Sequence, residues 1–284
     1  MKIIGVIHAR MSSSRLPGKV LKDLGGRSVL YHHYERLSQC KALDAIYLAT
    51  SKDEINAPLI AEARKYSIPY YAGADEDLLE RYLAIAKKEK ADAVVRCGCD
   101  KPLVSYEIVD HLLAEYKGED LLYVTTVLPA GIGSEILSVS ALEKVRKHYR
   151  GPAMSRYIHE YPHKFKIRGV EVDDVFSRPE VRLALDTEED YRLLKTLCKL
   201  FYAEGKLVDL REVFKYLDDH PDLANINRSS IIKEVNTYVA ELSGKPVFSV
   251  YQTKAGKFVV KNRMGEGMSK DEFLGSLDKM EWEE

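Results

Sequence analysis

The stretch KIIGVIHARMSSSRLPGKVL, residues 2–21, joins an apolar β-branched run to a loop of small and basic residues. Such a run, bounded by serine, glycine and proline, reads as a buried strand emptying into a loop. Outward from it, a helix is expected from about Val29 to Cys40, a strand at AIYLAT (45–50), and a helical segment over 53–66 that stops before Ile68-Pro69. DLLERYLAIAKKE (77–89) places Leu78, Leu79, Tyr82, Leu83 and Ala86 on one helical face, and DAVVRC (92–97) returns as a strand. SYEIVDHLLAEY (105–116) repeats the helical period, and LLYVTT (121–126) supplies one more strand. Strands alternating with helices in this way predict an α/β protein: a mostly parallel, Rossmann-like sheet covered by helices on both faces.

Past residue 130 the pattern is mixed. Short strands are expected near 134–138, 164–172 and 181–186, and helices near 139–147, 153–160, 188–204 and 209–218. From about Ser229 a helix should run to about Leu242. GKPVFSVYQTKAGKFVVKNR then reads as a hairpin around Lys254-Ala255-Gly256, and a polar helix follows at 269–280. The chain therefore divides into a main domain, 1–228, and a small C-terminal α+β appendage of helix, hairpin and helix, 229–284. That hairpin could extend a sheet across a homodimer, cover a site, or bind something separate.

Composition narrows the partners. With 43 Lys+Arg against 44 Asp+Glu the formal charge is −1, so no general basic field exists to hold nucleic acid, and any anion site must be local. No run of about 18 apolar residues calls for a membrane. The four cysteines (Cys40, Cys97, Cys99, Cys198) make neither a disulfide framework nor good zinc spacing, which suits a reducing cytoplasm.

In a parallel sheet, ligands collect beyond the C-terminal strand ends, here the loops after Ala9, Thr50, Arg96 and Thr126. The first of these carries Arg10, Arg15 and Lys19, with no acidic residue before Asp23. Ser12, Ser13, Ser14 and Gly18 keep its side chains small, so backbone N–H groups can approach phosphate oxygens while the cations neutralise them. Neither a Walker loop nor a dinucleotide fingerprint fits the spacing, because Ser13 stands where the first Walker glycine belongs and no G-x-G-x-x-G follows the strand. A solvated basic turn is the bland alternative.

The segment HARMSSSRLPGKVLKDLGGRSVL (8–30) resembles the opening motif of the spore-coat polysaccharide biosynthesis protein F family. That family lies in the cytidylyltransferase superfamily, with the synthetases of CMP-sialic acid and CMP-ketodeoxyoctonate. The resemblance implies a nucleotide-binding fold of the glycosyltransferase-A type, CTP as donor, a small anionic or sugar-acid acceptor, Mg²⁺ as cofactor, and this loop around the triphosphate. Arg10 and Lys19 then become catalytic candidates alongside Asp100.

Asp100 follows DAVVRC within RCGCDKPL (96–103), where a carboxylate suits Mg²⁺. Asp186 ends VRLALD before Thr187 and a Glu-rich first turn; by itself it reads as a helix cap. RCGCDKPL and LALDTEEDY (183–191) resemble the two segments in which relatives place their metal-binding aspartates, which makes Asp186 the second ligand. Relatives commonly read R-x-T-G-D-C-P-L, so Gly98, Cys99 and Lys101 depart from the pattern. Lys101 could weaken metal binding by repulsion or contact an anionic acceptor.

YYAGADEDLLERY (70–82) resembles the segment that borders the nucleobase, with Gly73 and Asp75, although Asp75 or Asp77 would also cap the helix. PAGIGSEILSVSALEKV (129–145) is similar to D-G-x-D-V-E-V-F, placing Glu135 toward the acceptor and Ala130 where an aspartate is usual. HYRGPAMSRYIHEYPHKF (148–165) matches a basic segment beside the acceptor in relatives, with Arg150 and Arg156 as candidates; one solvated helix face explains the same charges. Two other readings stay open: a nucleotidyltransferase using another triphosphate and a sugar phosphate, and a non-catalytic nucleotide-binding subunit.

Overall fold

The computed structural model describes residues 1–149, 154–203 and 206–228, together with strand segments 241–242, 245–246, 248–252 and 258–262. Strand β1 (Ile3–His8) forms on the opening apolar run. A ribbon of β2 (Asp23–Leu24) and β3 (Arg27–Ser28) leads to α1 (Val29–Leu37), capped by the Ser28 hydroxyl accepting from the Tyr31 N–H. Then come β4 (Ala45–Ser51), α2 (Ala57–Lys65), β5 (Tyr70–Gly73), α3 (Leu78–Glu89), β6 (Ala93–Gly98), α4 (Tyr106–Glu115), β7 (Leu121–Val124) and β8 (Glu135–Ser138). The main unit continues through α5 (Val139–Arg146), α6 (Met154–Glu160), β9 (Ile167–Val170), α7 (Glu188–Phe201), α8 (Leu210–Asp219) and α9 (Pro221–Ala224).

The main sheet has the order β5-β4-β1-β6-β8-β7-β9. Only β8 is reversed: it pairs antiparallel with β6 and β7, while every other pairing is parallel. Alternation along each strand feeds two cores. Ile3 and Ile7 of β1 join Val95 of β6 beneath α1, α2, α4, α7 and α8, whereas Ile4 and Val6 join Tyr47 and Val94 beneath α3, α5 and α6. Helices thus cover both faces, as the alternating pattern requires. No helix among the described residues is long and apolar enough to cross a membrane.

Several expectations need correction. Strand β5 follows Ile68-Pro69 and was not anticipated, because YYAG is short and only half-buried. Residues 53–66 begin as a 3₁₀ turn, Glu54–Asn56, before α2. The expected strand at 181–186 does not form: this apolar run is buried, but its N–H groups bond to two different loops, Leu183 to the Ala130 carbonyl at 2.7 Å and Leu185 to the Asp100 carbonyl at 2.8 Å. Nor does a helix reach Leu242, since β10 (Glu241–Leu242) pairs antiparallel with β11 (Lys245–Pro246). The hairpin is present as β12 (Phe248–Gln252) paired with β13 (Phe258–Asn262). The expected helix at 269–280 and the helical stretch from Ser229 lie outside the described residues, as does Arg150.

Gly131 decides where the 181–186 segment sits. Its φ is +105°, and a Cβ there would stand 2.3 Å from the Ala184 nitrogen and the Leu183 carbonyl carbon. Gly131→Ala therefore meets both left-handed strain and a backbone collision. A loss on the order of 2–5 kcal/mol, or roughly 5–15 °C in Tm, is expected, measurable by thermal unfolding. A variant melting with the parent would show that this close approach is not required.

Candidate active site

Strand order turns at β1: β4 lies on one side of it and β6 on the other. The loops leaving β1 at His8 and β6 at Gly98 diverge there and open a cleft of about 550 Å³. Arg10, Ser12, Ser13, Ser14, Arg15 and Lys19 all line it, and so do Asp75, Asp100 and Asp186. The basic loop is thus not a free surface turn. Buried Asn56 anchors it, accepting from the Met11 N–H at 2.9 Å and donating to Ser51 at 2.7 Å. The Met11 carbonyl accepts from Ser13 and Gly18 N–H, both at 3.0 Å, and Gly18 makes the turn with φ +68°.

Each loop cation faces a carboxylate. Arg10 lies 3.2 Å from Asp75 on one lip; on the other, Lys19 and Arg15 approach the same oxygen of Asp186, Oδ1, at 2.8 and 2.9 Å. Lys19 also donates to the Leu185 carbonyl at 2.7 Å. The other Asp186 oxygen accepts from buried Arg182 at 2.7 Å. Arg182 bonds to buried Asp190 at 3.0 Å, and Asn227 donates to both the Arg182 carbonyl and Asp190. Asp186 is not the helix cap: Thr187 is, in a capping box with Asp190, which frees the Asp186 carboxylate for the cleft.

Asp100 reaches the same cleft because its carbonyl is bonded to Leu185, one residue before Asp186. Burial would raise its carboxyl, but the charges of Lys19 and Lys101 outweigh burial and hold it below the usual carboxylate value. Asp75 is also held low: burial opposes, and hydrogen bonds from Ser51 and Arg10 prevail. The α3 cap is Asp77, accepting from the Glu80 N–H, so Asp75 and Asp77 divide the two roles between them.

Other expected site residues stand back from this cleft. Gly73 ends β5 against Glu80 and Arg81. Lys101 donates to the Gly133 carbonyl at 2.7 Å. Glu135 on β8 pairs with Arg96 at 3.1 Å and accepts from Ser155. Arg156 is exposed on α6 and pairs with Glu160 at 2.9 Å. Cys97 and Cys99 are buried thiols pushed up by desolvation, to about 11 for Cys97; Cys97 packs behind the cleft, while Cys99 is part of its lining. The sequence reading missed His8, Glu76, Arg81 and Arg96 in the lining. A polar residue closing an apolar strand was the available signal for His8, and a charged residue inside one was the signal for Arg96.

Two histidines, His33 in the core and His8 half-buried at the cleft, make the fold acid-sensitive. Desolvation and the Lys101 charge push His33 down to about 3, and desolvation and Arg96 push His8 well below its ordinary value. Unfolded, both take a proton near pH 6.5; folded, they resist until far lower. Stability is therefore whole above pH 6.5 and falls below it by up to about 1.4 kcal/mol per pH unit for each group, a loss that continues to about pH 3 for His33. The depressed carboxylates, Asp100 and Asp75, act only later, as pH drops below the unfolded value toward their folded ones. Denaturant midpoints measured from pH 7 to 4.5 should fall steadily, and His33→Leu should flatten the slope; a level wild-type profile would contradict this.

A family model described as Cytidylyltransferase matches residues 4–223, which spans the sheet and every residue of the cleft. The chain belongs to the cytidylyltransferase family. Membership makes it a CTP-dependent nucleotidyltransferase. An uncharacterized protein of Methanocaldococcus jannaschii is 36% identical over 233 residues, covering 80% of this chain and 95% of that one. Spore coat polysaccharide biosynthesis protein SpsF of Bacillus subtilis is 30% identical over 234 residues, covering 78% and 96%. Among solved structures, a cytidylyltransferase from Leptospira borgpetersenii superposes with a TM-score of 0.71 at 30% identity, covering 79% of this chain and 97% of its own. The α/β architecture of this cytidylyltransferase is that of its structural relatives.

Proposed function

We propose that the protein transfers CMP from CTP to a small anionic acceptor of the sugar-acid class, with release of pyrophosphate. The observation that carries this reading is the meeting of Asp100, Asp186 and the Arg10–Lys19 loop in one cleft. An acceptor oxygen attacks the α-phosphorus in line with the departing pyrophosphate. Arg10, Arg15 and Lys19 stabilise the charge that develops on the leaving group, and the loop N–H groups orient it. A related enzyme of Bdellovibrio bacteriovorus, 32% identical over 57% of this chain and 64% of its own, is a 3-deoxy-manno-octulosonate cytidylyltransferase, which supports the acceptor class. In this reading Glu135 with Arg96, Lys101 and Arg156 serve the acceptor, and Arg150, outside the described residues, is proposed to join them from the sequence alone.

The charge of the cleft argues for a divalent cation. Its lining carries five cations, Arg10, Arg15, Lys19, Arg81 and Arg96, against Asp75, Glu76, Asp100 and Asp186. One net positive charge does not balance a triphosphate, and the loop cations already lie against carboxylates. Two carboxylates beside a polyphosphate are the hard-oxygen set that Mg²⁺ takes, so Asp100 and Asp186 would hold it. When bound, the ion supplies Lewis-acid polarisation of the α-phosphate. Arg182 and Asp190 keep the Asp186 carboxylate oriented.

The family match ending at residue 223 supports residues 1–228 as the nucleotidyltransferase domain and 229–284 as an appendage. Pyrophosphate release measured with CTP, Mg²⁺ and a panel of sugar acids, phosphosugars and phosphonates tests the reading. Release with a sugar acid is expected. Release only with another triphosphate, or none with any acceptor despite CTP binding, would overturn it.

A further inference from the structure

We propose that His8 reads the base: its Nε2 accepts a hydrogen bond from the exocyclic amine of cytosine and turns uracil away. The inference rests on CTP being the nucleotide of this cleft. His8 closes β1 at the floor of the cleft, beside Gly98 in the sheet register. Its Nδ1 lies 2.8 Å from the Tyr82 hydroxyl, which donates to the Val6 carbonyl at 3.1 Å. A carbonyl has no hydrogen to give, so the phenolic hydrogen goes to Val6 and the hydrogen of the imidazole sits on Nδ1. Nε2 is left with a lone pair. Burial and the Arg96 charge keep the ring neutral, so Nε2 does not regain a hydrogen at ordinary pH.

What such an atom can recognise follows from its chemistry. Phosphate oxygens are acceptors and would be repelled. Mg²⁺ prefers oxygen donors. Hydroxyls of ribose or of the acceptor can both give and take a hydrogen bond, so a fixed tautomer gains nothing with them. A locked acceptor discriminates only where one ligand offers a donor and its competitor an acceptor, and CTP and UTP differ in that way at the pyrimidine 4-position. Gly98 adds no side chain over the imidazole: a Cβ there would lie 3.4 Å from the His8 Nε2, and the Asp100 carboxylate stands nearer still to that position, on the same side of the cleft floor. Tyr82 itself is fully buried on α3, the helix that follows the cleft-lining Asp75 and Glu76.

The test is calorimetric titration of the full chain with CTP and with UTP in the presence of Mg²⁺. Wild type should prefer CTP by roughly 10- to 100-fold, the range expected when a buried acceptor faces a second acceptor. His8→Phe should weaken CTP about tenfold and bring the two nucleotides within about threefold of each other. Tyr82→Phe should narrow the preference by tightening UTP, because the ring can then carry its hydrogen on Nε2; a merely structural role for Tyr82 would weaken both nucleotides alike. Tyr82→Phe decides the matter if His8→Phe does not fold. A wild-type preference retained in both variants, or turnover lost with the nucleotide ratio unchanged, overturns the role of His8 alone. A wild-type chain that binds neither nucleotide overturns the functional reading beneath it.

Discussion

Asp100→Asn and Asp186→Asn are each expected to lower turnover by at least roughly 10³-fold, since each removes a hard-oxygen ligand and several kcal/mol of transition-state charge stabilisation. The amides are isosteric, so the cleft should keep its shape. Nucleotide binding should respond differently. Each carboxylate lies among the cations of the cleft, and Asp186 directly engages Lys19 and Arg15. Neutralising it frees those cations for phosphate, so CTP affinity without metal should hold or improve while catalysis collapses. Asp186→Asn also removes one of the carboxylates bonded to the buried Arg182 guanidinium, which predicts a measurable drop in Tm for this variant. Pyrophosphate release, metal-free CTP binding and thermal unfolding together check the prediction. Turnover within about fivefold of wild type in either variant would remove that aspartate from the metal site.

Lys19→Ala should cost on the order of 10²–10³ in turnover, the penalty typical of one lost charge-stabilising donor. Its ammonium is largely buried and touches both the Leu185 carbonyl and Asp186, so it ties the β1 loop to the segment that carries the second carboxylate. Losing it should therefore weaken CTP as well as slow the reaction. Arg15→Ala should do less, because the Arg15 side chain is 61% exposed and its charge is screened by solvent. Single-turnover rates with saturating CTP separate the two contributions. Unchanged turnover and unchanged CTP affinity in Lys19→Ala would mean that the loop does not hold the polyphosphate.

Local pattern made most of the architecture legible. The strands at 3–8, 45–51 and 93–98 and the amphipathic helices between them are set by the period of their apolar residues, a property of neighbours along the chain. The small, cationic loop after β1 was readable for the same reason. The run 181–186 misled because a short apolar stretch has no periodicity to distinguish a strand from a segment bonded to two loops. Its partners, the Ala130 and Asp100 carbonyls, are remote in sequence.

The sequence by itself therefore determined that this is an α/β nucleotide-binding chain, and which residues could carry its chemistry. Only the tertiary structure decided how those residues are used. It reversed β8, turned the strand order at β1, and set Asp186 against Lys19, Arg15 and Arg182 instead of on a helix cap. It also brought Tyr82 under His8, which fixes where an imidazole hydrogen sits. Charge pairing, desolvation and hydrogen-bond direction depend on atoms a few ångströms apart in space and often more than seventy residues apart in the chain, as Tyr82 is from His8. No spacing rule along the sequence can express them.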